Sequence, residues 1–135
     1  MPDREGRGVY EVSITAHFSA AHRLQGYRGA CAAVHGHNWE VEVFVRGERL
    51  NRTGILMDFR KLKEAVRQAV ATLDHADLNS LPAFRAANPT SENIARLLYE
   101  RLAPRLTRRG RRLARVRVRE TPGSAAGYAE DGATP

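Results

Sequence analysis

The stretch HGHNWEVEVFVRG, residues 35–47, decides the fold. His35, His37, Trp39, Val41, Val43 and Val45 share one parity, while Glu40, Glu42 and Arg46 share the other. Side chains on a strand alternate between faces, so these residues form a strand with one buried and one polar face. Toward the N-terminus, Val12, Ile14, Ala16 and Phe18 alternate with Glu11, Ser13, Thr15 and His17, which predicts a partner strand beginning near Val9. Residues 23–34 (RLQGYRGACAAV) contain two Gly and no clean period, and read as a loop. Downstream, ERLNRTG (48–54) supplies a turn. Asp58 then caps a helix over 59–73 with Phe59, Leu62, Val66, Ala69, Val70 and Leu73 on one face.

Residues 74–89, with DHADLN inside them, read as a second loop. Thr90 or Ser91 caps a second helix whose apolar positions are Ile94, Leu97, Leu98, Leu102 and Leu106, and Pro104 ends or bends its last turn. RRGRR (108–112) is a turn, after which Ala114, Val116, Val118 and Glu120 alternate with Arg115, Arg117 and Arg119 on a further strand. A short strand is placed near Tyr128. This order predicts an α+β domain, an antiparallel sheet with two helices on one face. Residues 1–8 read as a flexible leader, 9–128 as one domain and 129–135 as a flexible tail.

A chain of 135 residues is the size of one domain, and 42% hydrophobic with 27% charged residues argues against disorder. Apolar runs span only a few residues, so no membrane span and no secretory signal is expected. One cysteine forbids an internal disulfide and fits a reducing cytoplasm. Net charge is +7; Lys61 and Lys63 are the lysines among 22 basic residues, so 20 are Arg. That balance permits nucleic acid, an anionic metabolite, or merely a coding bias toward Arg, and by itself decides nothing. No aromatic residue lies between Arg105 and Arg119 to stack on bases, so a nucleic-acid partner is not expected there.

The chemistry gathers at the strand ends. His35 and His37, spaced i, i+2, sit on the core-facing side, and His22 has the parity of Val12, Ile14, Ala16 and Phe18. Buried imidazoles need partners. A bound metal supplies one, and three neutral imidazoles with an open position suit a catalytic zinc; the alternative is a core or turn pair without metal. His17 faces the other way, as an ordinary surface residue. Cys31 could be a fourth ligand, a buried filler or an activated thiolate. Asp74-His75 is an acid–base pair or a helix-ending turn with a local hydrogen bond. Glu120, at the inward end of its strand, needs either a ligand with paired N–H donors or an internal Arg partner.

Six ordered segments, FSAAHRL (18–24), CAAVHGHN (31–38), TGILMDF (53–59), LDHADLN (73–79), NPTSEN (88–93) and RETPGSAAGY (119–128), resemble the 6-pyruvoyltetrahydropterin synthase / 6-carboxytetrahydropterin synthase family of the tunnelling fold (T-fold). The resemblance implies zinc on His22, His35 and His37, and a proton-transfer set of Cys31, Asp74 and His75. It implies Glu120 as the anchor of a pterin ring, with Thr90 and Ser91 helping to hold it. It further implies a homohexamer of two trimers, forming an oligomeric β-barrel with active sites between subunits. The implied substrate is 7,8-dihydroneopterin triphosphate. The carboxy members release acetaldehyde and triphosphate on the queuosine and 7-deazapurine route, and the pyruvoyl members keep the side chain. Cys31 precedes HGH by three intervening residues, the spacing typical of the carboxy group. A distant alternative is an Arg-rich nucleic-acid-binding module with a structural zinc.

Overall fold

The computed structural model describes residues 8–26, 29 and 33–130. Cys31, most of the leader and residues 131–135 lie outside them. Strand β1 (Tyr10–His22) runs against β2 (His35–Gly47), helix α1 (Phe59–Ala71) follows, and a two-residue strand β3 (Ala76–Asp77) leads toward helix α2 (Ser91–Leu106). Strands β4 (Arg111–Thr121) and β5 (Ser124–Tyr128) close the order. The sheet is β3-β1-β2-β4-β5. All its pairings are antiparallel except β3 with β1, which is parallel, so the sheet is mixed rather than purely antiparallel as expected. A two-residue strand has no period to read, and β3 therefore hid inside the apparent loop 74–89. That loop also carries the buried side chains of Leu78 and Phe84. The sheet is open, bounded by β3 and β5.

The alternation read from the sequence sets the layers. Ile14, Phe18, Trp39, Val41, Val43, Val45, Val116 and Val118 face one way and are buried with Leu62, Val66, Ile94, Leu98 and Leu102 of the helices. Both helices thus cover one face, as the hydrophobic pattern requires. One register shift departs from simple alternation. Phe44 pairs with Arg115 and Val45 with Leu113, so Ala114 is an extra residue on β4 and both Leu113 and Ala114 are buried. This is a β-bulge, which re-aims the strand on either side of it.

The other face is polar. Glu42 pairs with Arg117, Glu40 lies 3.6 Å from Arg119 and 3.5 Å from His17, and Glu11 holds Arg46 at 2.7 Å. The Arg115 guanidinium covers the Phe44 ring at 4.3 Å, which shields the one large apolar residue on this side. Exposed pairs of this kind contribute little stability, and their effect is to keep the face wettable.

The helix ends follow the expected caps. Asp58 accepts from the Arg60 amide at 2.8 Å, and Thr90, rather than Ser91, caps α2 by accepting from the Asn93 amide at 3.1 Å. Helix α1 stops at Ala71, two residues short of the expected end. Pro104 does not end α2; it lies inside the last turn, and the helix runs on to Leu106. There the missing N–H forfeits a single bond, and the Thr107 amide closes the end on the Ala103 carbonyl at 3.0 Å.

Leu62→Ala, which empties a fully buried position between α1 and the sheet, is expected to destabilise the fold by about 2–5 kcal/mol. Urea denaturation followed by circular dichroism measures the difference.

Candidate metal centre

Three adjacent strands carry apolar inward faces that end in polar side chains at one end of the sheet. His22 terminates β1 and pairs in register with His35, the first residue of β2. His37 lies two residues further along β2, and Glu120 is near the end of β4. Trp39, fully buried, floors the site, with ring centroids 4.9 Å from His22 and 5.3 Å from His37. Its indole N–H donates to the Ala20 carbonyl at 3.2 Å.

Hydrogen bonds fix two of the imidazoles. His22 Nδ1 lies 2.8 Å from the Pro89 carbonyl and His35 Nδ1 lies 2.7 Å from the Ala33 carbonyl. A carbonyl only accepts, so each Nδ1 carries a proton, and in the neutral ring the Nε2 lone pair is then the one that faces the centre. His22 Nε2 and His37 Nε2 are buried there without a hydrogen-bond partner. Glu120 Oε2 approaches the three Nε2 atoms at 3.5, 4.0 and 2.7 Å from His22, His35 and His37 respectively. The shortest of these approaches sets the Glu120 charge directly against His37. Burial holds His37 below its ordinary pKa; the Glu120 charge opposes this, and His35 and His22 reinforce it. Neutral imidazole is the ligating form. His22, His35, His37 and Glu120 offer four donor atoms within 4.8 Å of one another, an arrangement able to hold a metal ion. Three nitrogens and one carboxylate oxygen suit a borderline divalent cation.

Glu120 therefore faces the histidines rather than an internal Arg, and Ser91 Oγ donates to its other oxygen, Oε1, at 3.3 Å. Thr90 is occupied as the α2 cap. Asp74 and His75 stand at the β1 edge. The Asp74 carboxylate accepts from the Ser19 amide at 2.9 Å and lies 3.2 Å from His75 Nδ1. The His75 amide donates to the Ser19 carbonyl at 2.5 Å. His75 adopts a left-handed backbone with φ 59°, uncommon for a residue with a Cβ, and its ring is exposed. A surface groove of about 440 Å³ has both His37 and His75 in its walls. Cys31 lies outside the described residues.

Sequence reasoning missed the tethers that shape this end. Asn79 takes the Arg23 amide on its side-chain oxygen at 2.8 Å and returns a bond to the Arg23 carbonyl at 3.0 Å. Asn88 repeats this with Gln25, at 2.9 Å in each direction. Each carboxamide imitates a neighbouring strand's peptide group. Together they hold residues 23–25 against the loop that supplies the Pro89 carbonyl. Their signal was present in the quoted segments DHADLN and NPTSEN, but nothing in their spacing indicated a partner.

The open α+β sheet and its histidine–carboxylate cluster define an α+β domain with a cluster able to hold a metal ion at one end of its sheet. Residues 11–131 match the family described as 6-pyruvoyl tetrahydropterin synthase, and the chain belongs to that family. It is 40% identical over 109 residues to the putative 6-carboxy-5,6,7,8-tetrahydropterin synthase of Archaeoglobus fulgidus, covering 81% of this chain and 86% of that protein. It is 41% identical over 102 residues to the dihydroneopterin monophosphate aldolase of Pyrococcus furiosus, covering 76% and 79%. The structure of Caenorhabditis elegans 6-pyruvoyl tetrahydropterin synthase superposes with a TM-score of 0.81 at 29% identity, covering 92% of this chain and 97% of that one.

Two outcomes follow from this geometry. Zinc added to metal-stripped protein is expected to raise the thermal midpoint, with about 2.7 kcal/mol of stabilisation when free metal is 100 times Kd; His37→Ala removes that shift. The Ser19 N–H, more than any other group, holds Asp74 below its ordinary pKa. A carboxylate with a lowered folded-state pKa stabilises the fold above its unfolded value and loses that contribution as pH falls through the folded value. Asp74→Ala is thus expected to be less stable than the parent at pH 7, with the gap closing below the usual carboxylate range. Urea midpoints across pH measure it.

Proposed function

We propose that this protein is a zinc-dependent lyase that converts 7,8-dihydroneopterin triphosphate to 6-carboxy-5,6,7,8-tetrahydropterin, releasing acetaldehyde and triphosphate, on a queuosine or 7-deazapurine route. The observation that carries the reading is the trio of imidazoles whose Nε2 atoms converge beside the Glu120 carboxylate at the end of a buried sheet face. The carboxy product is favoured by the three-residue spacing from Cys31 to His35-Gly36-His37 and by the relative from Archaeoglobus fulgidus.

His22, His35 and His37 would hold the zinc, oriented by the Pro89 and Ala33 carbonyls. When bound, the metal supplies Lewis acidity toward the hydroxyls of the substrate side chain, lowering their pKa. Glu120 accepts from the pterin amino and ring N–H groups, with Ser91 steadying one carboxylate oxygen and Thr90 shaping the α2 terminus beside it. Such anchoring places the reacting carbon and converts binding into orientation. Cys31, as thiolate, takes a side-chain proton. Asp74 holds His75 so that its ring can return a proton, and the groove that His37 and His75 share is where the His75 ring would meet substrate.

The uncovered sheet face and the open edges at β3 and β5 support assembly into a homohexamer of two trimers with an oligomeric β-barrel. The lone cysteine supports a cytoplasmic location. A nucleic-acid role is less well supported, since Arg117 and Arg119 are engaged by Glu42 and Glu40. No helix among the described residues is long and apolar enough to cross a membrane.

The zinc-loaded protein, incubated with dihydroneopterin triphosphate, is expected to form acetaldehyde and a carboxypterin, read by chromatography. A pyruvoyl product without acetaldehyde selects the alternative, 6-pyruvoyltetrahydropterin synthase. Turnover of the monophosphate alone would sink both. Cys31→Ala should retain zinc and lose roughly 10²–10⁴-fold in rate, the usual scale for a positioned proton-transfer group.

A further inference from the structure

The end of the sheet opposite the histidines carries a second concentration of charge. Twelve strand steps separate His35 from Gly47, roughly 40 Å at the usual rise. At that far corner the turn from Arg108 to Arg111 closes with reciprocal backbone bonds of 2.9 and 3.0 Å and places Gly110 at φ 89°. Gly47 lets the turn pack directly on β2, because a Cβ there would lie 2.3 Å from the Gly110 carbonyl oxygen. The guanidiniums of this corner therefore spring from a fixed backbone.

Two adjoining cavities of about 390 and 550 Å³ share Arg49, Gly110 and Arg111 in their walls; Arg108 and Arg112 also line the first and Arg109 the second. Their size falls within the usual range of small-ligand sites. Helix α2 accounts for part of the donor capacity. Arg111 Nε donates to the Leu106 carbonyl at 3.1 Å, and Arg108 donates to the Pro104 and Thr107 carbonyls at 2.8 Å each. Each guanidinium has five N–H donors, so most remain. Arg112 Nε is buried with no partner. Among the described residues none of these five arginines makes an ion pair, and Glu48 is the one acid in the walls. Burial, and then repulsion from Arg108, makes the charge on Arg111 less favourable than usual. A fixed group of guanidiniums without an acidic partner, set around a cavity, favours an anionic ligand.

We propose that this corner is a binding site for phosphoryl anions, separate from the metal centre. Planar guanidinium forks match phosphate oxygens in pairs, and several forks carried by one turn suit a ligand with more than one phosphoryl group. Neither cavity has an aromatic side chain in its walls, so stacking of nucleic-acid bases has no platform here. The site goes beyond the proposed reaction, and stands whether or not that reaction is the right one.

Isothermal titration of the zinc-loaded protein with inorganic triphosphate, and separately with inorganic phosphate, tests the site. The expected result is saturable triphosphate binding, tighter than phosphate and weakened by added salt. It persists in His37→Ala, and its Kd rises about tenfold or more in Arg111→Gln, the scale of a lost charge-assisted bond. Arg49 is exposed, so Arg49→Gln gives a second variant that should fold normally and show the same weakening. Absence of binding, binding unchanged in both arginine variants, or binding abolished by His37→Ala would each overturn the proposal.

Discussion

The register between β1 and β2 is the constraint on which everything else depends. His22 lies opposite His35, Phe18 opposite Trp39, and Ile14 opposite Val43. A slip of one residue would turn every inward side chain outward, emptying the core and dispersing the imidazoles at once. Core and histidine cluster are thus consecutive stretches of the same inward rows. The aliphatic part is covered by α1 and α2, and the site begins where that cover ends. Trp39 is the joint between them, its ring buried in the core beneath His22 and His37 and its N–H tied to Ala20.

That continuity explains how the domain tolerates several polar groups at the edge of its interior. Burying an imidazole without a partner is unfavourable, and this structure holds two such Nε2 atoms beside a carboxylate. The cost is sustained by the surrounding backbone, which over-determines their position. Pro89 and Ala33 carbonyls set two rings, and the Asn79 and Asn88 carboxamides pin the chain that leaves β1. The left-handed His75 is held in the same way, by its amide bond to Ser19 and by Asp74 across the same residue. The two ends of the sheet differ in kind. One gathers imidazoles around a carboxylate, the other gathers arginines around open volume.

Much of this was legible because period-2 alternation over thirteen residues is a strong signal. It placed both long strands, the buried face and the three histidines. The helices were visible through the spacing of Leu62, Val66, Ile94 and Leu98, and Asp58 was visible as a cap because its chemistry is local. The missed features share a physical cause. Strand β3 is two residues long and exists only because β1 offers it an edge. The Ala114 bulge arises from how β4 must fit against β2, and periodicity alone would have kept Arg112 and Ala114 on one face. Helix α2 runs through Pro104 because packing at Leu102 and Leu106 outweighs one absent hydrogen bond.

The amino-acid sequence by itself determined which side chains face inward, where the helices begin, and that His22, His35 and His37 lie on core-facing rows. Parity and helical period are properties of the chain's own geometry, independent of its neighbours. Only the tertiary structure decided that Glu120 meets those histidines, that Ser91 rather than an arginine steadies it, and that His37 and His75 border one groove. Those relations join residues far apart in the chain, and they follow from strand order and register, which no local pattern encodes.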